Sequence, residues 1–136
     1  MTDGEVQRTA HVVDPETSAE RPMARKGGRS VRLVDETVGA ETLDLHMNIL
    51  EPGGSMEESP YHLHEKAENV YFVIQGTLGL RLGDEVVEVP AGRAVFIPPM
   101  LPHSVWNAGE GEARLLEIYA PPGPDFVRLD QSGAPT

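Results

Sequence analysis

The chain has 136 residues, eleven basic and twenty-two acidic side chains, a net charge of −11 and no cysteine. At that length a single domain with one core is expected. The acidic balance argues against nucleic acid as a partner, because phosphate backbones need a positive footprint, and the lack of cysteine excludes disulfides and thiolate ligands.

From Met1 to about Pro22 the chain is polar and acidic without periodicity, which reads as a mobile tail. His11 falls in it and is not expected to be a ligand. No apolar run follows a basic start, so no signal peptide is expected. Apolar stretches elsewhere are far too short to span a membrane, and a soluble cytoplasmic protein is the expectation. Arg21, Arg25, Lys26, Arg29 and Arg32 cluster where the tail ends and read as a solvated arm. Gly27-Gly28 breaks the chain before a short strand, Ser30 to Val34. Thr42 to Leu50 alternates and reads as a second strand, stopped by Glu51-Pro52-Gly53-Gly54.

Tyr61 to His64 reads as a strand, Glu65 to Glu68 as a turn, and Val70 to Ile74 as a strand ending at Gly76. Leu78 to Leu82, Glu85 to Val89, Ala94 to Ile97, His103 to Trp106 and Arg114 to Tyr119 follow, separated by Gly, Pro and Asn turns. From Pro121 the chain is rich in Pro and Gly and is expected to pack on the surface or fray. The resulting division is a tail over 1–24, one domain over 25–122 and a C-terminal tail over 123–136. Many short strands without a helical period imply an all-β fold, an antiparallel jelly-roll barrel or sandwich.

Three of the five histidines carry the functional reading. His62 and His64 lie two apart on a strand and so project from one face. His103 opens a distant strand. Three imidazoles arranged in this way can meet on one divalent metal. Without cysteine the ligand set is nitrogen and oxygen, for which Zn2+ and Fe2+ lead, with Ni2+, Cu2+ and Mn2+ as alternatives. The competing reading, ordinary core or surface histidines, does not explain why three fall at these spacings.

Two stretches, Tyr61 to Gly76 and Gly92 to Asn107, resemble the two motifs of the cupin family, whose fold is a double-stranded β-helix. The family's second motif runs Gly, five residues, Pro-x-Gly, two residues, His, three residues, Asn. Here Gly92, Pro98, His103 and Asn107 occupy those places, while Met100 stands where the family has Gly. That turn must work without a positive φ or carry strain. The first motif places a glutamate ligand with six residues between it and its closing Gly. Counting back from Gly76 gives Asn69, whereas the shorter count from His64 gives Glu68. Val70 to Gly76 is one uninterrupted strand, and a one-residue slip would reverse every side chain. Asn69 is therefore expected inward with Tyr71 and Val73, and Glu68 outward, against the alternative of a bulge that turns Glu68 in.

The resemblance implies a metal on His62, His64 and His103, with Asn69 as a weak or outer fourth group. Losing the carboxylate raises the residual charge of the centre from +1 to +2 and disfavours hard ions such as Mn2+. Val73, Val105 and Phe96 are expected to line the barrel, with Tyr71 as a proton donor. His46 is expected outside, because Leu45 and Met47 look more core-facing; turned inward it becomes a fourth ligand or general base. Glu57, Glu58 and Tyr61 are expected to border the site, and Trp106 to pack between sheets or at a subunit contact.

Arg25 to Gly54, with Lys26-Gly27-Gly28-Arg29, Thr37-Val38-Gly39-Ala40 and Pro52-Gly53, is similar to the lead-in of small cupins that act as aromatic polyketide cyclases. That resemblance implies a metal-dependent tailoring enzyme of secondary metabolism, homodimeric and cytoplasmic, acting on a small carbonyl- or enol-bearing molecule. Two further readings stay open: a three-histidine Fe(II) dioxygenase, and a non-catalytic cupin that binds a small ligand or metal.

Overall fold

The structure, a computed structural model, describes residues 9–23, 25, 27–123 and 125–136. It contains eleven described strands: β1 (Glu20–Pro22), β2 (Gly28–Val34), β3 (Asp44–Leu50), β4 (Tyr61–His64), β5 (Glu68–Gln75), β6 (Thr77–Leu82), β7 (Glu85–Pro90), β8 (Ala94–Ile97), β9 (His103–Asn107), β10 (Ala113–Ala120) and β11 (Phe126–Leu129). They form two antiparallel sheets, ordered β1-β2-β3-β10-β5-β8 and β11-β4-β9-β6-β7. The protein is all-β, its two antiparallel sheets wrapped as a double-stranded β-helix. Among the described residues no helix is long and apolar enough to cross a membrane.

Two segments read as tails carry structure. Pro15–Thr17 is a 3-10 turn capped by the Asp14 carboxylate, and β1 pairs with β2. After Pro121 the chain returns to the barrel as β11, which pairs with β4 so that Phe126 stands opposite His64 and Arg128 opposite His62. Neither segment has an alternating apolar pattern of its own. Both are held by ladder hydrogen bonds to a strand already in place, which the sequence does not display.

The inner face of the six-stranded sheet changes character along its strands. Leu50 stands opposite Ala113, and Leu115 pairs with Val73. These residues join Leu78, Leu80, Ile97 and Val105 in the apolar core. One row further along, Arg32, His46, Glu117 and Tyr71 follow one another across four neighbouring strands. The core thus fills one end of the barrel, and each fully buried Leu or Val there contributes about 1.5–3 kcal/mol. The other end is polar and open.

Several expectations about which side chains face the barrel interior need correction. His46 faces in, 6% exposed, because Asn48 and Leu50 share its face and are also buried, whereas Leu45 and Met47 are only half-buried. Phe96 faces out, 58% exposed, since it pairs with Val70 while Val95 pairs with the inward Tyr71. Tyr61 turns away from the barrel mouth and donates to Gly83 O at 3.1 Å, with the Arg81 guanidinium over its ring. Glu57 and Glu58 are exposed and do not border the histidines.

Two turn residues show how the motif geometry is kept. Gly76 has φ 79°, and a Cβ there would meet Glu112 O at 3.0 Å, so glycine is required. Met100 has φ 71° and is the one non-glycine residue at positive φ among those described. The turn carries strain rather than avoiding it, and its side chain is exposed. Asn107 closes the second motif by donating to Leu50 O and Gly111 O (3.0 and 2.8 Å) and accepting from Gly109 N.

Candidate metal centre

His62 and His64 stand on β4 and His103 begins β9, where it pairs directly with His62. All three are buried, and one nitrogen from each lies within 4.8 Å of the others. The ring centroids of His62 and His103 are 4.3 Å apart, and those of His62 and His64 are 5.2 Å apart.

Each imidazole is oriented through Nδ1. His62 Nδ1 donates to Pro60 O at 2.9 Å and His103 Nδ1 to Leu101 O at 2.9 Å. A carbonyl oxygen can only accept, so these rings carry the proton on Nδ1 and leave Nε2 as a lone pair. His64 Nδ1 lies 3.0 Å from the Asp125 carboxylate, which also accepts from Lys66 N and Ala67 N at 3.0 and 2.8 Å. Those backbone donors and His64 hold the Asp125 carboxyl below its usual range, against the opposing effect of burial. Phe126, the next residue, stacks on the His62 ring at 4.3 Å and 17°. Nε2 of His64 and of His103 is buried without a hydrogen-bond partner. Burial, reinforced by the neighbouring histidines, pushes the His62 pKa down to about 3, and burial pushes His103 to about 4. At neutral pH both are uncharged. Neutral rings with Nδ1 pinned and Nε2 converging are the state a divalent ion requires, and the donor set fits one.

The histidines open onto a cavity of about 540 Å3. Its lining includes His46, Asn48, Tyr71, Glu117, Tyr119 and Arg25. Asn69 is fully buried on β5 beside it, and Glu68 is exposed. Both hydrogens of the Asn69 amide are engaged, with Glu117 Oε2 at 3.2 Å and Ile118 O at 2.9 Å, and its Oδ1 is buried with no partner. Burial and the Glu117 carboxylate raise the Tyr71 pKa well above its usual value, and the two residues stand opposite each other across the β10–β5 ladder. Val105 lines the cavity, while Val73 belongs to the core beneath. Burial and the nearby Arg32 lower the His46 pKa to about 4, and its Nε2 is unpartnered, with Asp44 4.0 Å away.

Several residues here escaped sequence reasoning. Glu117 sits in an apolar run, Leu115-Leu116-Glu117-Ile118-Tyr119, where an inward carboxylate was the signal to look for. Asp125 lay in a segment read as tail. Arg21, Arg25 and Arg32, read as part of a solvated arm, line the cavity, because β1 and β2 run along its edge. Arg25 donates through Nη1 to Val105 O and to Ser59 Oγ. Lys26 lies outside the described residues.

Trp106 packs against Gly79 on β6, its cross-strand partner, where any Cβ would strike the indole. It faces away from the histidines.

The chain is similar to known proteins. The chain is 31% identical over 110 residues to polyketide synthase CurC of Streptomyces cyaneus, spanning 78% of this chain and 70% of that protein. It is 29% identical over 121 residues to tetracenomycin polyketide synthase protein TcmJ of Streptomyces glaucescens, 87% of this chain and 79% of that one. The fold superposes on the polyketide cyclase RemF from Streptomyces resistomycificus with a TM-score of 0.75 at 27% identity, covering 87% of this chain and 84% of RemF. The cupin domain model matches residues 46–119, from the inward His46 through both motifs to Tyr119, and the chain belongs to the cupin domain family.

Proposed function

We propose that this cupin is a metal-dependent enzyme acting on a small carbonyl- or enol-bearing molecule, in a cyclisation of the polyketide-tailoring kind within secondary metabolism. The observation that carries the metal reading is the set of three buried imidazoles with Nδ1 anchored and Nε2 converging on one point. The cavity volume suits a molecule of a few fused rings. The reaction type rests on the likeness to RemF and to the two Streptomyces polyketide proteins.

His62, His64 and His103 hold the ion, and Asn69 Oδ1 is the fourth group, weak or outer. A divalent ion so held supplies Lewis acidity to a substrate oxygen at its open positions. Zn2+ and Fe2+ lead, ahead of Ni2+, Cu2+ and Mn2+. His46 is uncharged at neutral pH with a free nitrogen toward the cavity, and we assign it the general-base role, removing a proton from the carbon next to a ketone. The Arg25 guanidinium holds the oxygen that gains negative charge. Tyr71 and Glu117 orient the ring of the substrate from the opposite wall. The protein acts in the cytoplasm as a homodimer. Phe72, Ile74 and Phe96 are 42, 45 and 58% exposed on the outer face of the six-stranded sheet, which supports a second copy covering it.

The test is metal content by mass spectrometry on tag-free protein, wild type against His62→Ala/His64→Ala. Near-stoichiometric zinc in the wild type, lost in the variant, is expected and leads to cyclisation assays on poly-β-ketone thioesters. Stoichiometric iron with oxygen consumption would put the dioxygenase first. No metal, even after reconstitution, would leave a ligand-binding barrel.

A further inference from the structure

Glu117 is the hub of the wall that faces the histidines. Asn48 Nδ2 reaches its Oε1 at 2.5 Å, and Asn69 Nδ2 reaches its Oε2 at 3.2 Å. Tyr71 stands opposite Glu117 across the β10–β5 ladder, and Tyr119 lies two residues further along β10. These groups come from three neighbouring strands, β3, β10 and β5. A carboxylate has no hydrogen to give, so each of the two amides must turn its NH2 toward it and its oxygen elsewhere. The amide orientations follow: Asn48 Oδ1 and Asn69 Oδ1 are both buried with no partner. Asn48 lines the cavity, as do Tyr71, Tyr119 and His46 with its unpartnered Nε2. On the neighbouring strand β2, Ser30 Oγ and Arg32 Nε also line the cavity and are buried without a hydrogen-bond partner. Arg25 is bonded to Val105 O and Ser59 Oγ, and Arg32 Nε lies 3.5 Å from Asp35.

We propose that Glu117 sets this wall as a hydrogen-bond acceptor surface, so that the cavity selects the enolic or phenolic form of its ligand over the ketone or ether form. This rests on the reading that the cavity holds a small organic substrate, and it adds the tautomer. A hydroxyl meeting Asn48 Oδ1 satisfies a buried oxygen that otherwise has nothing. A carbonyl or ether oxygen in the same place meets another lone pair. A site built to pair a ligand hydroxyl rejects the analogue that lacks it, because its own buried polar group is then left unmatched. Glu117 is thus a positioning residue whose effect is read as selectivity.

The probes are 1,3-dihydroxynaphthalene and 1,3-dimethoxynaphthalene, titrated calorimetrically into metal-free full-length protein. Working without metal separates the outcome from that of the metal-content test. The diol is expected to bind wild type about tenfold or more tighter than the ether, the scale of one or two well-made hydrogen bonds. In Glu117→Gln the new amide donor turns one neighbouring amide around and presents its NH2 to the cavity, so the ratio should fall to about threefold or invert. Asn48→Leu removes one acceptor and leaves Glu117 in place, and should also lower the ratio; it serves if Glu117→Gln does not fold. Equal binding of both probes to wild type, preference for the ether, no binding of either, or an unchanged ratio in a folded variant would each overturn the proposal.

Discussion

Replacing Asp125 by asparagine should cost more metal affinity than replacing it by alanine. Asp125 Oδ1 faces His64 Nδ1, while Oδ2 takes two backbone hydrogens, from Lys66 and Ala67. Asparagine has one acceptor oxygen for these three donors. With that oxygen on His64, its NH2 would confront two backbone N–H groups that cannot change. With the oxygen on the backbone pair, the NH2 confronts only His64, which can answer by moving its proton to Nε2. The second arrangement loses one interaction instead of two and should prevail. It places a hydrogen on the nitrogen that the metal needs. Alanine leaves His64 free to choose and lets water reach Nδ1. Loss of a partner that orients a metal-bound histidine costs about 10–100-fold in affinity, which is about 1.4–2.7 kcal/mol. Asp125→Ala should fall at the lower end of that range, and Asp125→Asn at the upper end or beyond. Competition of Zn2+ or Co2+ binding against a chelator gives the affinities, and nitrogen chemical shifts of the His64 ring in metal-free protein give the tautomer. Wild-type affinity in Asp125→Asn with the hydrogen still on Nδ1 would refute the reasoning.

Acid should destabilise the metal-free protein through its histidines. His46, His62 and His103 have folded-state pKa values of about 4, 3 and 4, below the unfolded value near 6.5. Between these limits the unfolded chain binds more protons, so stability falls as pH drops from about 6.5 toward 4. By pH 5 the loss should be about 1–2 kcal/mol per histidine, and urea midpoints unchanged between pH 7.5 and 5 would contradict it. Met100→Gly should relieve the left-handed strain, worth about 1–2 kcal/mol, against about 0.5–1 kcal/mol of added chain entropy. The net gain should be near or below 1 kcal/mol by thermal unfolding, since the lost side chain is exposed; clear destabilisation would show that the turn is not strained.

The six-stranded sheet shows how far the sequence reaches. Alternation along β5 is local, so the inward set Asn69, Tyr71 and Val73 could be read from the strand once Gly76 anchored the register. The same rule gave the wrong face at His46 and Phe96. On β3 the inward positions pass from Leu50 through Asn48 to His46, and an inward strand end that lines a polar cavity carries no apolar signature. Phe96 is apolar and exposed, on an outer face that a partner subunit is proposed to cover.

By itself the sequence determined most of the strands along the chain, their closing turns, and the placing of His62-x-His64 on one strand and His103 at the head of another, because strand periodicity and glycine or proline punctuation act over a few residues. Tertiary structure alone decided what surrounds those histidines. Asp125 reaches His64 across 61 positions of chain, Glu117 reaches Asn48 across 69, and Arg25 reaches Val105 across 80. Such contacts depend on which strands the barrel sets side by side, and no local pattern in the chain records that choice.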